Sequence, residues 1–242
     1  MKKIILVIAL SASCFFAYAR SFIVGGIAYT PISDTEVAVT PIEGFSYYGK
    51  IVIPETVQHE DINYSVTQIG EAAFYECFCL TDVTLPKTIV KIGDYAFYRC
   101  PNLKTVVLPE SLQIMGGGAF FACTKITKVV IPNNVEIVPE CCYEGCSALA
   151  SITLGKSVSI IRKRAFADCS SLTAIKIPAS VTAIKDGAFK DCKKLSTVTF
   201  ENKQKVTIDG RNAFANSPYG NANSQNSVRN DPRFKVRNSV TF

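Results

Sequence analysis

The sequence predicts a β-rich repeat solenoid, and three observations carry this prediction. An Ala-Phe dipeptide recurs every 23 residues from Ala73-Phe74 to Ala188-Phe189, with Cys142-Tyr143 in one of the six positions. A cysteine and several aliphatic residues follow each dipeptide at constant offsets. Hydrophobic residues make up 48% of the 242-residue chain, which is enough for one continuous core. The units are expected to stack, because a 23-residue unit cannot bury its apolar face alone.

The N-terminal segment has the features of a secretory signal peptide over residues 1–19. Residues 1–3 include two lysines, residues 4–10 are apolar, and residues 17–19 (Ala-Tyr-Ala) form a small-x-small cleavage motif. We therefore expect a secreted or cell-surface protein. Lipidation of Cys14 is the less favoured alternative to cleavage. No later stretch approaches the ~20 apolar residues of a membrane span.

Residues 20–65 are expected to form a β-rich N-terminal cap, since a solenoid must shield its terminal apolar faces. Residues 51–54 (Ile-Val-Ile-Pro) resemble a degenerate first strand, and residues 57–66 have the pattern of a hairpin that turns near Glu60 and Asp61.

Residues 66–216 contain the repeats, and each repeat predicts two extended segments and a turn. The segment L-x-x-V-x-L alternates at its end, as a half-buried strand does. A second apolar pair, such as Val181 and Ile184, predicts another short extended segment before the Ala-Phe turn. With 23 residues per unit there is little room for a helix, so short 3₁₀ or irregular turns are expected. Prolines that stop the first strand stand at Pro86, Pro109, Pro132 and Pro178.

The pattern A-F-x-x-C-x-x-L-x-x-V-x-L-P, over about residues 51–216, closely resembles the BspA-like family of bacterial leucine-rich-repeat surface proteins. The resemblance implies a right-handed leucine-rich-repeat superhelix, export to the cell surface, and a role in adhesion or host-protein binding. It carries no catalytic residues across. Residues 217–242 are expected to be a polar C-terminal loop, over Pro218–Asn230, followed by a possible capping strand. The alternating residues that suggest this strand are Phe234, Val236, Val240 and Phe242.

The recurring cysteines are interpreted as packing residues rather than disulfides. Equivalent residues on stacked turns lie ~4.8 Å apart, beyond the ~3.5–4.5 Å between the Cβ atoms of a disulfide. A buried free cysteine behaves as a small hydrophobe. The expected buried free thiols include Cys100, Cys123, Cys169 and Cys192. Off this ladder, and expected to be more accessible, are Cys79, Cys141 and Cys142.

No catalytic residue, cofactor or metal site is predicted. His59 is the only histidine and falls in the cap hairpin, where we expect it to be exposed. This disfavours Ser-His or Cys-His chemistry and a zinc site. Lys and Arg exceed Asp and Glu by only 26 to 20, and the longest basic run is Arg162–Arg164. A nucleic-acid partner is therefore not expected.

The outward strand positions remain as the candidate ligand face. They are mostly polar, with Val107 and Val130 in one outward column, and hold no aromatic residues, which disfavours stacking on sugars or bases. Threonine also favours strands and keeps an open sheet soluble, so the same columns suit a structural role. The candidate face comprises Thr81, Lys104, Thr105, Thr127, Lys128, Ser151, Thr153, Thr173, Lys176, Thr197 and Thr199.

The sequence therefore predicts an exported binding scaffold whose partner is an extracellular or host protein. The alternative is a structural or spacer component of a surface assembly. A patch of exposed aromatic or arginine side chains would favour binding, whereas a pocket with perturbed carboxylates would favour an enzyme. Whether the concave strand face or the convex turns bind, and the oligomeric state, stay open at this point.

Overall fold

The computed structural model describes residues 21–201, 206–209, 212–224 and 234–237. In these residues the chain is a β-solenoid of about six turns, as predicted, with a 23-residue spacing and one short helix. The predicted signal peptide, Cys14, Val240 and Phe242 lie outside the described residues.

The solenoid begins with a cap of antiparallel strands. Strands β1 (Phe22–Val24), β2 (Ile27–Pro31) and β3 (Glu36–Thr40) form a meander. Strands β5 (Thr56–His59) and β6 (Ile62–Ile69) form the predicted hairpin, in which β6 also pairs in parallel with β3. The expectation for His59 is wrong. Its ring is half-buried because it stacks on Phe22, with ring centroids 3.9 Å apart.

Two series of parallel strands run along the solenoid. The first series, whose outward surface we call the strand face, confirms the L-x-x-V-x-L strands and the degenerate strand before them. It comprises β4 (Gly49–Val52), β7 (Leu80–Thr84), β9 (Thr105–Val106), β11 (Lys128–Val130), β13 (Ser151–Thr153), β15 (Ala174–Ile177) and β17 (Thr197–Phe200). The second, shorter series comprises β8 (Lys91–Ile92), β10 (Ile114–Met115), β12 (Ile137–Val138), β14 (Ile160–Ile161), β16 (Ala183–Ile184), β18 (Val206–Asp209) and β19 (Phe234–Arg237). Within the repeats, partners such as Lys128 and Ser151 are one repeat apart.

The core is centred on the recurring phenylalanines, which are fully buried in one column as predicted. Their rings stack nearly parallel, from 4.9 Å between the centroids of Phe74 and Phe97 to 5.6 Å between those of Tyr143 and Phe166. Tyr47 contacts Phe74 at the first end of the column, and Phe214 stacks on Phe189 at the other. The spacing matches the ~4.8 Å separation of paired strands, so every turn covers the rings of its neighbours.

The Ala-Phe turns, whose outward surface we call the turn face, are irregular, as predicted. Successive backbone N–H groups alternate between two kinds of hydrogen bond. One kind goes to the carbonyl three residues earlier, as from Tyr75 to Ala72 (3.0 Å), and the other to a carbonyl of the next turn, as from Phe74 to Ala96 (2.7 Å). Two residues per turn, such as Tyr95 and Arg99, have φ near +55°. This left-handed backbone interrupts helical geometry, and the lateral bonds satisfy the donors instead.

The C-terminal segment differs from the predicted polar loop, because Pro218–Ser224 forms helix α1. The Ser217 hydroxyl accepts a hydrogen bond from the Gly220 N–H at 2.9 Å, so Ser217 acts as the N-cap and Pro218 occupies the first helical position. Strand β19 lies within the segment of the predicted capping strand and pairs in parallel with β18, and its role as a cap stays a prediction.

Replacing Tyr143 with Phe is expected to stabilise the protein by about 1–2 kcal/mol. Tyr143 is fully buried in the ring column, and its hydroxyl has no hydrogen-bond partner in the described structure. A buried unsatisfied polar group costs about 1–3 kcal/mol. Urea unfolding of Tyr143→Phe should show this gain.

Tyr47→Phe is the matched control. The Tyr47 hydroxyl accepts from the Ala28 N–H (2.9 Å) and donates to the Thr40 carbonyl (2.8 Å). Removing it leaves those cap groups unpaired, so stability should fall by about 1 kcal/mol or more. Equal losses of stability in both variants would show that the Tyr143 hydroxyl is as well satisfied as that of Tyr47.

Candidate binding surfaces

The candidate residues form a continuous row across the strand face. Backbone pairing places Lys128 beside Ser151 and Lys176 beside Thr199. Ten of the eleven candidates are exposed. The exception is Thr81, which is half-buried and donates its hydroxyl hydrogen bond to the Gly49 carbonyl at 3.0 Å. Thr81 therefore fastens the first repeat to β4 and is less available to a ligand.

The strand face also exposes valines that the predicted candidate set does not contain. Val107 is 72% exposed and Val130 is 46% exposed, and Val52 on β4 is exposed in the same way. Val130 pairs with Thr153, where the column changes from apolar to polar. The exposed valines of the face thus lie in its first half, among polar side chains.

The lysines of the strand face differ in their availability. Lys176 forms an ion pair with Glu201. Lys104 and Lys128 are exposed and make no ion pair with any described residue. The unpaired positive charges of this face therefore flank the exposed valines.

A second surface, not identified from the sequence, lies near the start of the solenoid. Five aromatic side chains, which we call the aromatic patch, are 46% to 79% exposed. The loop before β4 reaches Phe78 because the Gly49 N–H donates to the Cys79 carbonyl at 2.8 Å. All exposed large hydrophobic residues of the described structure precede residue 131. The aromatic patch consists of Phe45, Tyr48, Tyr75, Phe78 and Tyr95.

The patch continues into an ordered ring stack on the turn face. Tyr75 stacks on Tyr98 with centroids 4.9 Å apart, Tyr98 stacks on Phe121 at 4.8 Å, and Tyr95 meets Tyr98 edge-on at 5.7 Å. The signal was visible in the sequence, since each stacked ring directly follows a recurring core phenylalanine.

The basic run Arg162–Arg164 is not a uniform basic patch. Arg164 is half-buried and donates two hydrogen bonds to Glu144, at 2.6 and 2.9 Å, with Asp168 at 3.4 Å. The hydrogen bonds to Glu144 raise the pKa of Arg164. Two acidic side chains therefore neutralise Arg164, whereas Arg162 and Lys163 are exposed.

Charge is distributed unevenly along the chain, which the whole-chain totals conceal. Residues 21–144 contain fourteen acidic and seven basic residues, a net charge of −7. Residues 145–242 contain six acidic and sixteen basic residues, a net charge of +10. The apolar exposed surface thus belongs to the acidic half.

The cysteine ladder is buried, as predicted. Its thiols donate hydrogen bonds to the backbone carbonyl of the core aromatic residue in the preceding turn. Examples are Cys123 to Phe97, at 3.1 Å, and Cys192 to Phe166, at 3.1 Å. Burial raises the pKa of Cys192 to about 12. A protonated, buried thiol is a poor nucleophile, which supports a packing role.

The three cysteines off the ladder differ from one another. Cys79 is exposed and Cys141 is half-buried. The expectation that Cys142 is accessible is wrong, since it occupies the alanine position of the Ala-Phe dipeptide and is fully buried in the core.

Thiol titration is expected to separate these classes. In the native chain without residues 1–19, which is the predicted mature chain, a thiol reagent should modify Cys79 rapidly, because it is exposed, and leave the ladder unmodified. After denaturation without reductant, all nine described cysteines should titrate as thiols. A shortfall of two thiols would indicate a disulfide and contradict the packing role.

A groove of about 780 Å³ lies beside β10 and β12. Its polar lining includes Asp94, Glu136, Glu140 and Arg162, without a histidine, cysteine or hydroxyl nucleophile. The described residues contain no cluster of three or more potential metal ligands. They also contain no helix with the length and apolar character of a membrane span.

Stacked turns of this length, strand pattern and buried ring column define a leucine-rich-repeat solenoid. The model of the BspA-type leucine-rich-repeat region matches residues 50–171 and 115–232, with six copies. The chain therefore belongs to the BspA-type family of bacterial leucine-rich-repeat surface proteins.

Two solved structures are similar to the chain. One is a leucine-rich cell surface protein from Faecalibacterium prausnitzii, with 30% identity, a TM-score of 0.61, and coverage of 76% of this chain and 55% of that protein. The other is the Treponema pallidum leucine-rich repeat protein, with 28% identity, a TM-score of 0.66, and coverage of 75% and 81%. The chain thus spans about half the length of the first protein. No curated protein matches the chain significantly.

Proposed function

We propose that the chain is a non-catalytic module, displayed outside the cell, that binds an extracellular protein through its strand face. Solenoids of this kind bind through extended surfaces. The observation that carries the proposal is the exposure of Val107 and Val130 next to the unpaired Lys104 and Lys128. An apolar centre with a polar rim is the anatomy of a protein interface.

The composition of this face selects the chemistry of the partner. Lys104 and Lys128 favour a partner with acidic side chains, because complementary charge speeds and orients association. The threonine hydroxyls of the later repeats can donate or accept hydrogen bonds. The partner proposed is therefore a protein surface that combines apolar groups with carboxylates.

The exposed apolar residues favour binding over a spacer role. A spacer gains nothing from exposed valines or from an aromatic patch, which reduce solubility. The described structure concentrates these residues before residue 131, whereas the later repeats expose polar side chains at the equivalent positions.

The test compares two charge reversals of equal size, one on the strand face and one outside it. Purified extracellular proteins are immobilised, and binding of the mature chain is measured by surface plasmon resonance. Lys104→Glu/Lys128→Glu should weaken binding about tenfold or more and reduce its salt dependence. Folding should be unaffected because both side chains are exposed.

The matched control is Lys193→Glu/Lys194→Glu, which makes the same charge change away from the strand face. It should bind like the wild type. Equal losses in both variants would indicate non-specific charge attraction, and full binding by Lys104→Glu/Lys128→Glu would exclude the strand face.

A further inference from the structure

The turn face carries aromatic residues at one end and lysines at the other, in the same columns of the repeat. The column that begins with Tyr75 ends in the sixth repeat with Lys190. The neighbouring column begins with Phe78 and ends with Lys193. Lys193 and its neighbour Lys194 are exposed and make no ion pair with a described residue. One face therefore presents two different contact groups, five repeats apart.

The net charges of the two ends are also opposite. The aromatic patch lies in the half with a net charge of −7, and the lysines lie in the half with a net charge of +10. The chain is therefore complementary to itself when it is reversed end to end.

We propose that two copies of this chain associate through their turn faces in antiparallel orientation, with the aromatic patch of each against the Lys193–Lys194 end of the other. A two-fold axis through the middle of the face places the first repeat of one copy opposite the sixth repeat of its partner. Both contacts then form at once, as an isologous interface requires. This association goes beyond the proposed function and leaves the strand face free.

The contacts that would form are chemically favourable. The aliphatic part of a lysine packs on apolar surface while its ammonium stays hydrated, and the negative net charge of the half that holds the patch attracts that ammonium.

The ring geometry argues for a protein partner rather than a sugar. Tyr75, Tyr98 and Phe121 are stacked within 7° and 13° of parallel, so their faces cover one another and mainly their edges point outward. Sugar binding uses ring faces. The ring edges offer apolar surface to the aliphatic part of a lysine from a second copy, and the acidic surroundings of the patch suit its ammonium group.

Disulfide trapping tests the proposed orientation directly. Cys79 is exposed in the first repeat, and Lys194 occupies the equivalent position of the sixth. In the dimer, Lys194→Cys should therefore meet Cys79 of the other copy. Oxidation with copper–phenanthroline should give a covalent dimer that reductant dissociates. Wild type and Lys104→Cys should stay monomeric on the same gel.

Sedimentation velocity of the mature chain measures the association itself. At low salt and up to about 1 mM protein, a monomer–dimer equilibrium is expected, which 1 M salt weakens by screening. Lys193→Glu/Lys194→Glu should weaken association about tenfold or more, whereas Lys104→Glu/Lys128→Glu should retain it.

A monomer at every concentration, trapping equal to that of Lys104→Cys, or full association of Lys193→Glu/Lys194→Glu would overturn the proposal. Lys104→Glu/Lys128→Glu is the control for self-association, and Lys193→Glu/Lys194→Glu is the control for partner binding. Failure of one proposal is therefore distinguishable from failure of the other.

Discussion

Replacing Leu149 with Asp is expected to abolish cooperative folding of the intact array. Leu149 is fully buried in the fourth repeat, next to the ring column. An unpaired buried carboxylate shifts its pKa or unfolds its surroundings, at a cost of several kcal/mol. Each repeat contacts only its neighbours, so the damage should divide the array into weakly coupled halves.

Urea unfolding followed by circular dichroism should therefore show two separated transitions, or an unfolded chain, for Leu149→Asp. The control is Ala150→Asp, since Ala150 is the exposed neighbour on the strand face. It should unfold like the wild type, within about 0.5 kcal/mol. A single wild-type-like transition for Leu149→Asp would contradict burial of this column.

Replacing Phe120 with Ala is expected to lower the free energy of unfolding by about 3–5 kcal/mol. Phe120 is buried between Phe97 and Tyr143, with centroids 5.0 and 5.1 Å away. Its removal leaves a cavity that the neighbouring turns cannot close, because their lateral hydrogen bonds fix the spacing.

The adjacent residue provides the matched control. Phe121 is half-buried at the end of the outer ring stack, so Phe121→Ala should cost about 1 kcal/mol. Equal losses in the two variants, measured by thermal or urea unfolding, would show that the inner column is not the centre of the core.

The regular part of the fold could be predicted because each of the six repeats must bury the same apolar positions against its neighbours. A constant 23-residue interval places Phe97 above Phe120 and Cys100 above Cys123, so that burial in one repeat implies burial in the next. Cys142 follows the same rule. It occupies the alanine position of the Ala-Phe dipeptide, so it is buried although it lies outside the cysteine ladder.

The irregular ends could not be predicted in the same way. Thr81 bonds to Gly49 across a register shift between β4 and β7, and repeat spacing says nothing about that shift. Helix α1 depends on the local Ser217-Pro218 signal, which its asparagine-rich context obscured.

The candidate surfaces were predictable only in part. Alternation placed the outward strand positions, Val107 among them, but the exposed fraction of Val107 depends on how much neighbouring side chains cover it. The aromatic patch combines the turns of the first repeats with Phe45 and Tyr48 from the cap, and these parts are brought together only by the fold.

Hydrogen–deuterium exchange of the mature chain, with and without a bound partner protein, tests the central claim most directly. If the strand face binds, slower exchange should appear in and beside β9 and β11, over residues 104–107 and 127–130, while the turns after Lys190 are unchanged. Protection confined to the turn face or to the caps, with unchanged exchange over residues 104–107 and 127–130, would contradict binding through the strand face.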